Sequence, residues 1–205
     1  QIKNKEMTFK IPKLDEITIL GFSKSKYKTG YLIKPWNIYL DAGLPSPIPP
    51  NMILLSHGHE DHITGLYSLL MEGNKTPVVL PSSIKYFVQN LLNSYSSLNY
   101  WKKCNYRNWT PITDYEYKVT INNQTLEIKT YNLDHSVSCL GFSIDKISKK
   151  LKEEYKDLPG SELKEIKKSN EIMEENKIPM LLFISDTGKS ILGTLPFNNY
   201  PIVII

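Results

Sequence analysis

Apolar and polar positions alternate along most of the chain in runs of strand length, separated by turn-forming residues. Residues 17–22 read as a strand ending beyond a glycine. Residues 31–40 read as another, broken near Pro35. Between them, 23–30 is a polar loop carrying Lys24, Lys26 and Lys28, and Asp41-Ala42-Gly43 closes the second strand. Segment 44–51 holds four prolines and must run as an extended loop. A short buried strand is expected at 52–55 and a loop at 57–61. A helix follows at 63–71, with Ile63, Leu66, Tyr67 and Leu70 on one face. Further on, 76–80 suits a strand, and 82–92, opened by Pro81, an amphipathic helix. Residues 117–121 and 125–131 suit a hairpin turned at Asn122-Asn123. Strands are expected again at 140–144 and 180–185, and 201–205 begins another.

Segment 145–177 breaks this rhythm. It is rich in Lys and Glu, helical in propensity and interrupted by Pro159-Gly160. The expectation is an inserted helical arm or hairpin, outside the core, on one α/β layered sandwich that takes up residues 1–205.

Composition narrows the class only slightly. At 40% hydrophobic and 22% charged, the 205 residues can fill a sizeable core, and a disordered or fibrous chain is excluded. No apolar run is long enough to span a bilayer, and no charged-then-apolar leader precedes a small-residue cleavage site, so neither a membrane partner nor secretion is expected. The chain opens at Gln1, and a natural start is expected upstream. Cys104 and Cys139 form neither a disulfide framework nor a Cys-x-x-Cys metal site; they read as free thiols of a reducing compartment. The cytoplasm is the expected location, with a nucleus or organelle left open. A net charge of +4 permits a polyanionic partner without demanding one.

Histidine changes the picture. The chain has four, and three of them fall within the six positions 57–62. The segment Leu54-Leu55-Ser56-His57-Gly58-His59-Glu60-Asp61-His62 follows an apolar strand and opens a helix. Two imidazoles one residue apart can both turn inward from an extended loop, while an adjacent Asp and His face a second ion. Such imidazole and carboxylate donors suit zinc, and also manganese or iron. The competing reading is a polar loop capping a helix, with Asp61 as a simple N-terminal charge. It would serve for one histidine, but it leaves three of them and an aspartate at this spacing unexplained.

The pattern His57-x-His59-x-Asp61-His62 is the signature of the metallo-β-lactamase fold, an αββα sandwich. The resemblance implies further metal ligands at His135, in Leu133-Asp134-His135, and at Asp186, a bridging carboxylate in Phe183-Ile184-Ser185-Asp186-Thr187-Gly188. Asp41 matches a family aspartate that supports the site from behind; a turn-capping role is the alternative. The family has one more ligand histidine beyond the bridging aspartate. No histidine follows Asp186 here, so the sandwich is expected to be truncated at its C-terminal end, and a second metal would keep only Asp61, His62 and Asp186.

Within that fold the chain resembles the short, plant-type ribonuclease Z (tRNase Z). The likeness lies in Leu133-Asp134-His135-Ser136-Val137-Ser138-Cys139-Leu140-Gly141-Phe142, in the stretch 151–164, and in the order of strands leading to the histidine loop. It implies a two-zinc endoribonuclease that removes the 3′ trailer from precursor tRNA, in which Asp61 can accept a proton from the attacking water. It also implies that an arm near 145–177 holds the tRNA, which makes Lys149, Lys150, Lys152, Lys164, Lys167 and Lys168 candidate RNA contacts; a solvated helical face explains the same charges. The cluster Tyr100-Trp101-Lys102-Lys103 with Tyr106, Arg107 and Trp109 could stack bases or pack on a surface helix. A homodimer agrees with the family. Two other functions remain open: a small-molecule metallo-hydrolase of the lactonase, glyoxalase or β-lactamase type, and a non-catalytic RNA-binding relative. His62 argues against those lactamase subclasses that lack a histidine there.

Overall fold

In a computed structural model of the protein, residues 5–9, 17–72, 76–99, 110–112, 116–168 and 171–205 are described. The aromatic-basic cluster at 100–109 lies outside them. Two sheets face each other. The first runs in chain order from β1 (Lys5–Phe9) through β2 (Ile17–Lys24), β3 (Lys28–Lys34), β4 (Ile38–Leu40), β5 (Met52–Leu54) and β6 (Pro77–Val79) to β7 (Thr110–Ile112). β1 to β4 are antiparallel, and β4 to β7 parallel. The second sheet has the order β12-β11-β10-β9-β8: β8 (Glu116–Ile121), β9 (Gln124–Leu133), β10 (Cys139–Leu151), β11 (Met173–Phe183) and β12 (Val203–Ile204). Its pairs are antiparallel except β11 with β12.

Burial explains this layering. Ile17, Ile19, Ile33, Ile38, Leu40 and Leu54 of the first sheet, with Trp36 from the turn between β3 and β4, meet Leu126, Ile128, Phe142, Ile144, Leu181 and Phe183 of the second in a buried central core. The opposite face of the first sheet buries Leu32, Tyr39, Ile53 and Val78 under α1 (Glu60–Ile63), α2 (Leu66–Glu72) and α3 (Lys85–Leu98), through Leu66, Leu69, Leu70, Val88 and Leu92. Over the second sheet, 3₁₀ turns at Lys189–Thr194 and Phe197–Asn199 cap a smaller cluster around Leu133, Leu182, Ile184 and Leu195. The expected α/β sandwich is therefore present.

The strand pattern read from the sequence matches closely where apolar alternation is strong. Asn122 and Asn123 take φ of 52° and 61°, the left-handed pair that a tight two-residue hairpin needs. The polar stretch 23–30 is shorter as a loop than expected: β2 and β3 pair up to Lys24 and Lys28, and the turn closes through Tyr27 N–H to Lys24 O at 2.9 Å.

Segment 145–177 is a hairpin with a helical tip and not a helical arm throughout. β10 and β11 extend outward as a two-stranded ribbon with Lys149 opposite Glu175 and Lys150 opposite Glu174. Helix is confined to α4 (Gly160–Ile166) and a 3₁₀ turn at Glu153–Tyr155, near the tip. Opposite charges across the ladder, such as Lys150 with Glu174 at 3.2 Å, favour the strand state of residues whose intrinsic preference is helical. The underside is tied by Glu127, a buried carboxylate 2.6 Å from Lys177 and 3.6 Å from Lys129.

Candidate metal centre

Four strand ends meet at one edge of the sandwich. β4 delivers Asp41, β5 the loop with His57 and His59, β9 the turn with His135, and β11 the turn with Asp186. Strand ends held by ladders on both sides make rigid mounts, so the side chains converge without ordering a long loop. Close backbone contacts fix the mounts. Leu140 N–H donates to Ser56 O at 2.9 Å across the two sheets, and Ala42 N–H donates to His62 O at 2.7 Å. Gly43 permits the second approach, since a Cβ there would lie 1.8 Å from Asp61 O.

The donor atoms of His57, His59, His135 and Asp186 all lie within 4.8 Å of one another. His59 Nδ1 is 3.0 Å from His57 Nε2 and 3.3 Å from His135 Nε2. A second set adjoins the first. His62 Nε2 is 3.6 Å from Asp61 Oδ2 and 3.9 Å from Asp186 Oδ2, and the same Asp186 oxygen is 3.9 Å from His135 Nε2. Asp186 thus stands between the two groups, half exposed, while His57 and His62 are buried. Asp61 is held by the β2–β3 turn, with Lys26 N–H donating to its Oδ2 at 3.0 Å.

Behind the histidines sits a buried hydrogen-bond hub. Asp41 Oδ1 accepts from Ser56 N–H at 2.7 Å, and Oδ2 accepts from Ser56 Oγ at 2.9 Å and His62 Nδ1 at 2.7 Å. Ser185 Oγ donates to Ser56 Oγ at 2.9 Å, and His57 Nδ1, also 2.9 Å from that oxygen, completes the pattern as a donor. Protons on both Nδ1 atoms leave the Nε2 lone pairs of His57 and His62 facing the site. The donor set therefore fits a metal ion: His57 is buried, His59 and His135 are partly buried, and with Asp186 they bring imidazole and carboxylate donor atoms within 4.8 Å of one another.

Sequence reading named the side chains that converge but missed Ser56 and Ser185. Each directly precedes a candidate ligand in the chain, which is the one signal that could have raised them. A related clamp joins the His135 and Asp186 turns. Gly188 N–H donates to Asp134 O at 2.6 Å, Asp134 N–H to Thr187 Oγ1 at 3.2 Å, and Ser190 Oγ to Asp134 Oδ2. A Cβ on Gly188 would lie 2.5 Å from Asp134 Oδ2, so glycine alone fits there without a shift. Cys139 is buried with Sγ 3.6 Å from His57 Nδ1. Burial, then the charges of Asp41 and Asp186, push its thiol up to about 12, so it packs as a neutral group and not as a thiolate ligand.

The histidines carry opposite pH dependences. Burial lowers His57 to about 3, helped by the charges of His62, His59 and His135. For His62 burial also disfavours charge, but the hydrogen bond and charge of Asp41, with Asp61 and Asp186, outweigh it and raise the pKa above 6.5. Between about 3 and 6.5 the unfolded chain binds a proton that folded His57 refuses, so that contribution is present above 6.5 and lost as pH falls. The His62 contribution is complete below 6.5 and lost as pH rises through its folded value. The melting temperature of the metal-free protein should therefore peak near the ordinary histidine value. A monotonic trend across about pH 5 to 8 would overturn the assignment.

No family model matches the chain. Among curated proteins it is 26% identical over 186 residues to a tRNase Z of Arabidopsis thaliana, covering 87% of this chain and 65% of that protein. It is 28% identical over 144 residues to ribonuclease Z of Staphylococcus carnosus, covering 62% and 44%. Over 102 residues it is 31% identical to ribonuclease Z of Borreliella burgdorferi, covering 44% and 30%. The chain thus spans less than two thirds of each of these relatives. Among solved structures, the metallo-β-lactamase fold protein YhfI from Bacillus subtilis overlaps 60% of this chain and 53% of its own at 19% identity and a TM-score of 0.40. Overlap of that size is partial. With its facing sheets and a histidine loop at the end of β5, what the chain is similar to, over the spans given, is the ribonuclease Z proteins.

Proposed function

We propose that the protein is a zinc-dependent endoribonuclease that acts on precursor tRNA by phosphodiester hydrolysis. The observation that carries this reading is the pair of adjoining donor sets sharing Asp186: His57, His59 and His135 on one side, His62 and Asp61 on the other. Zinc bound there would lower the pKa of a coordinated water and offset charge on a phosphoryl oxygen. The chain's own residues do the rest. Asp41 and Ser56 hold the His62 and His57 rings with their lone pairs inward. Asp61 is held by the Lys26 amide at one carboxylate oxygen and has the chemistry to accept a proton from an attacking water. Asp186, half exposed, marks the side from which substrate enters.

The names of the relatives supply the substrate class, and the ribbon offers a surface for it. Lys149, Lys164, Lys167 and Lys168 are exposed on it with Lys150, and Lys152 sits half-buried at its bend. Lys168 and Lys150 are shared with Glu165 and Glu174. Phosphate contacts from such lysines would position the RNA without touching the reacting centre. The zinc-loaded protein should release a 3′ trailer from precursor tRNA in a chelator-sensitive reaction. It should not hydrolyse a nitrocefin-like β-lactam, and the reverse preference would favour the small-molecule hydrolase. Changing Lys164, Lys167 and Lys168 together to alanine should weaken precursor-tRNA binding and flatten its dependence on salt. If hydrolysis of bis-p-nitrophenyl phosphate falls along with it, the ribbon is structural and this assignment of the lysines fails.

A further inference from the structure

Beside His135 opens a cavity of about 490 Å³ that none of the metal-centre residues except His135 lines. Its walls come from the chain after β6, from the end of β9 and from the turn into β10. Its side-chain polar groups are those of Ser82, Ser83, Thr130, Asn132, Ser136 and Ser138. Among the described residues, no Lys, Arg, Asp or Glu lines it. The volume lies within the roughly 300–1,000 Å³ usual for pockets that hold small organic groups.

From this lining we infer that the cavity is a subsite for the nucleoside next to the scissile phosphodiester, an inference that rests on the ribonuclease reading above. A phosphate or carboxylate would find no compensating Lys or Arg among the described residues that line it. Hydroxyl groups both donate and accept, and an amide carries one group of each kind, so this wall can meet the hydrogen-bonding edge of a base and the 2′-hydroxyl of a ribose. Position supports the same occupant. The cavity starts at a ligand of the candidate metal centre, so a substituent on a phosphate held between His135 and Asp186 would fall into it. Val137 divides it from a second cavity of about 370 Å³ on the His59 side, which is lined by Ile63, Ile84, Phe87, Val88 and Leu91 and has almost no polar wall. Recognition of a sugar hydroxyl belongs to the first cavity and not to the second.

The test compares binding of a short single-stranded RNA with its all-2′-deoxy counterpart, read by fluorescence anisotropy on the zinc-loaded protein. Asn132, Ser136 and Ser138 are exposed, so their replacement leaves the core alone. The triple change Asn132→Ala, Ser136→Ala and Ser138→Ala should weaken RNA binding about tenfold and DNA binding less, narrowing the preference for RNA. The double change Ser136→Thr and Ser138→Thr, which keeps both hydroxyls, should retain that preference. An unchanged RNA-to-DNA ratio in the alanine variant overturns the inference, as does a loss of preference in Phe87→Ala in its place. The two readings fail separately. If the unaltered protein hydrolyses bis-p-nitrophenyl phosphate and binds RNA but the ratio does not move, only the subsite is wrong. If it does neither, the ribonuclease reading is wrong and the subsite falls with it.

Discussion

His59→Ala should reduce phosphodiester hydrolysis to background while the metal-free protein stays folded. His59 occupies the middle of the ligand cluster, with Nδ1 at 3.0 Å and 3.3 Å from the ring nitrogens of His57 and His135. Its loss leaves two imidazoles and one half-exposed carboxylate to hold an ion that prefers four donors. Loss of an outer partner of a metal ligand typically costs roughly 10–100-fold in affinity or activity, and loss of a ligand itself should exceed that. The core has no need of the imidazole. His59 sits on a loop, only partly buried, and the strands below it are held by Leu40, Leu54 and their neighbours. Metal content after dialysis, turnover of bis-p-nitrophenyl phosphate and a thermal melt separate the two effects. Wild-type turnover with full metal content would remove His59 from the site, and a collapsed melt would make it a structural residue.

The parts of this site that were legible in the sequence are those encoded locally. Three histidines and an aspartate within six residues need only a strand before them and a helix after them, and both are signalled by apolar periodicity. The Asn122-Asn123 hairpin was legible for the same reason, because the turn chemistry lies in two adjacent residues. Of the hub behind the histidines, Asp41 and His62 were named through the family resemblance, but the serines were not. Asp41, Ser56, His62 and Ser185 meet across sequence separations of 15 to 144 residues, and a serine before a ligand looks like any other loop serine until the strands bring it in. The ribbon misled for the opposite reason. Its Lys and Glu residues favour helix in isolation, but the register of β10 against β11 sets unlike charges opposite each other and extends a sheet that already exists. Local propensity loses where a neighbouring strand supplies the ladder.

Asp41 is where the sequence left two roles open, and the largest loss of stability is expected there. Its carboxylate is fully buried and accepts from Ser56 N–H, Ser56 Oγ and His62 Nδ1, all within 2.9 Å. Removing one member of a buried charged pair costs about 3–5 kcal/mol, because the partner left behind has no water to replace it. Against an ordinary total of about 5–15 kcal/mol, Asp41→Ala should lower the denaturant midpoint sharply. Part of that loss would be conformational, since Asp41 has φ of 58°, a region that alanine tolerates less well than aspartate or asparagine. Asp41→Asn separates the two contributions. It keeps the backbone preference and one carbonyl oxygen, but its amide group would confront either the Ser56 or the His62 donor. The asparagine variant should therefore lose most of the same stability, and it should also bind metal more weakly, as His62 Nε2 is no longer fixed toward Asp61 and Asp186. Equilibrium unfolding of both variants, with and without zinc, reads this directly. If Asp41→Asn unfolds at the parental midpoint and retains parental zinc affinity, Asp41 is a turn residue only, and the orientation of His62 must come from elsewhere.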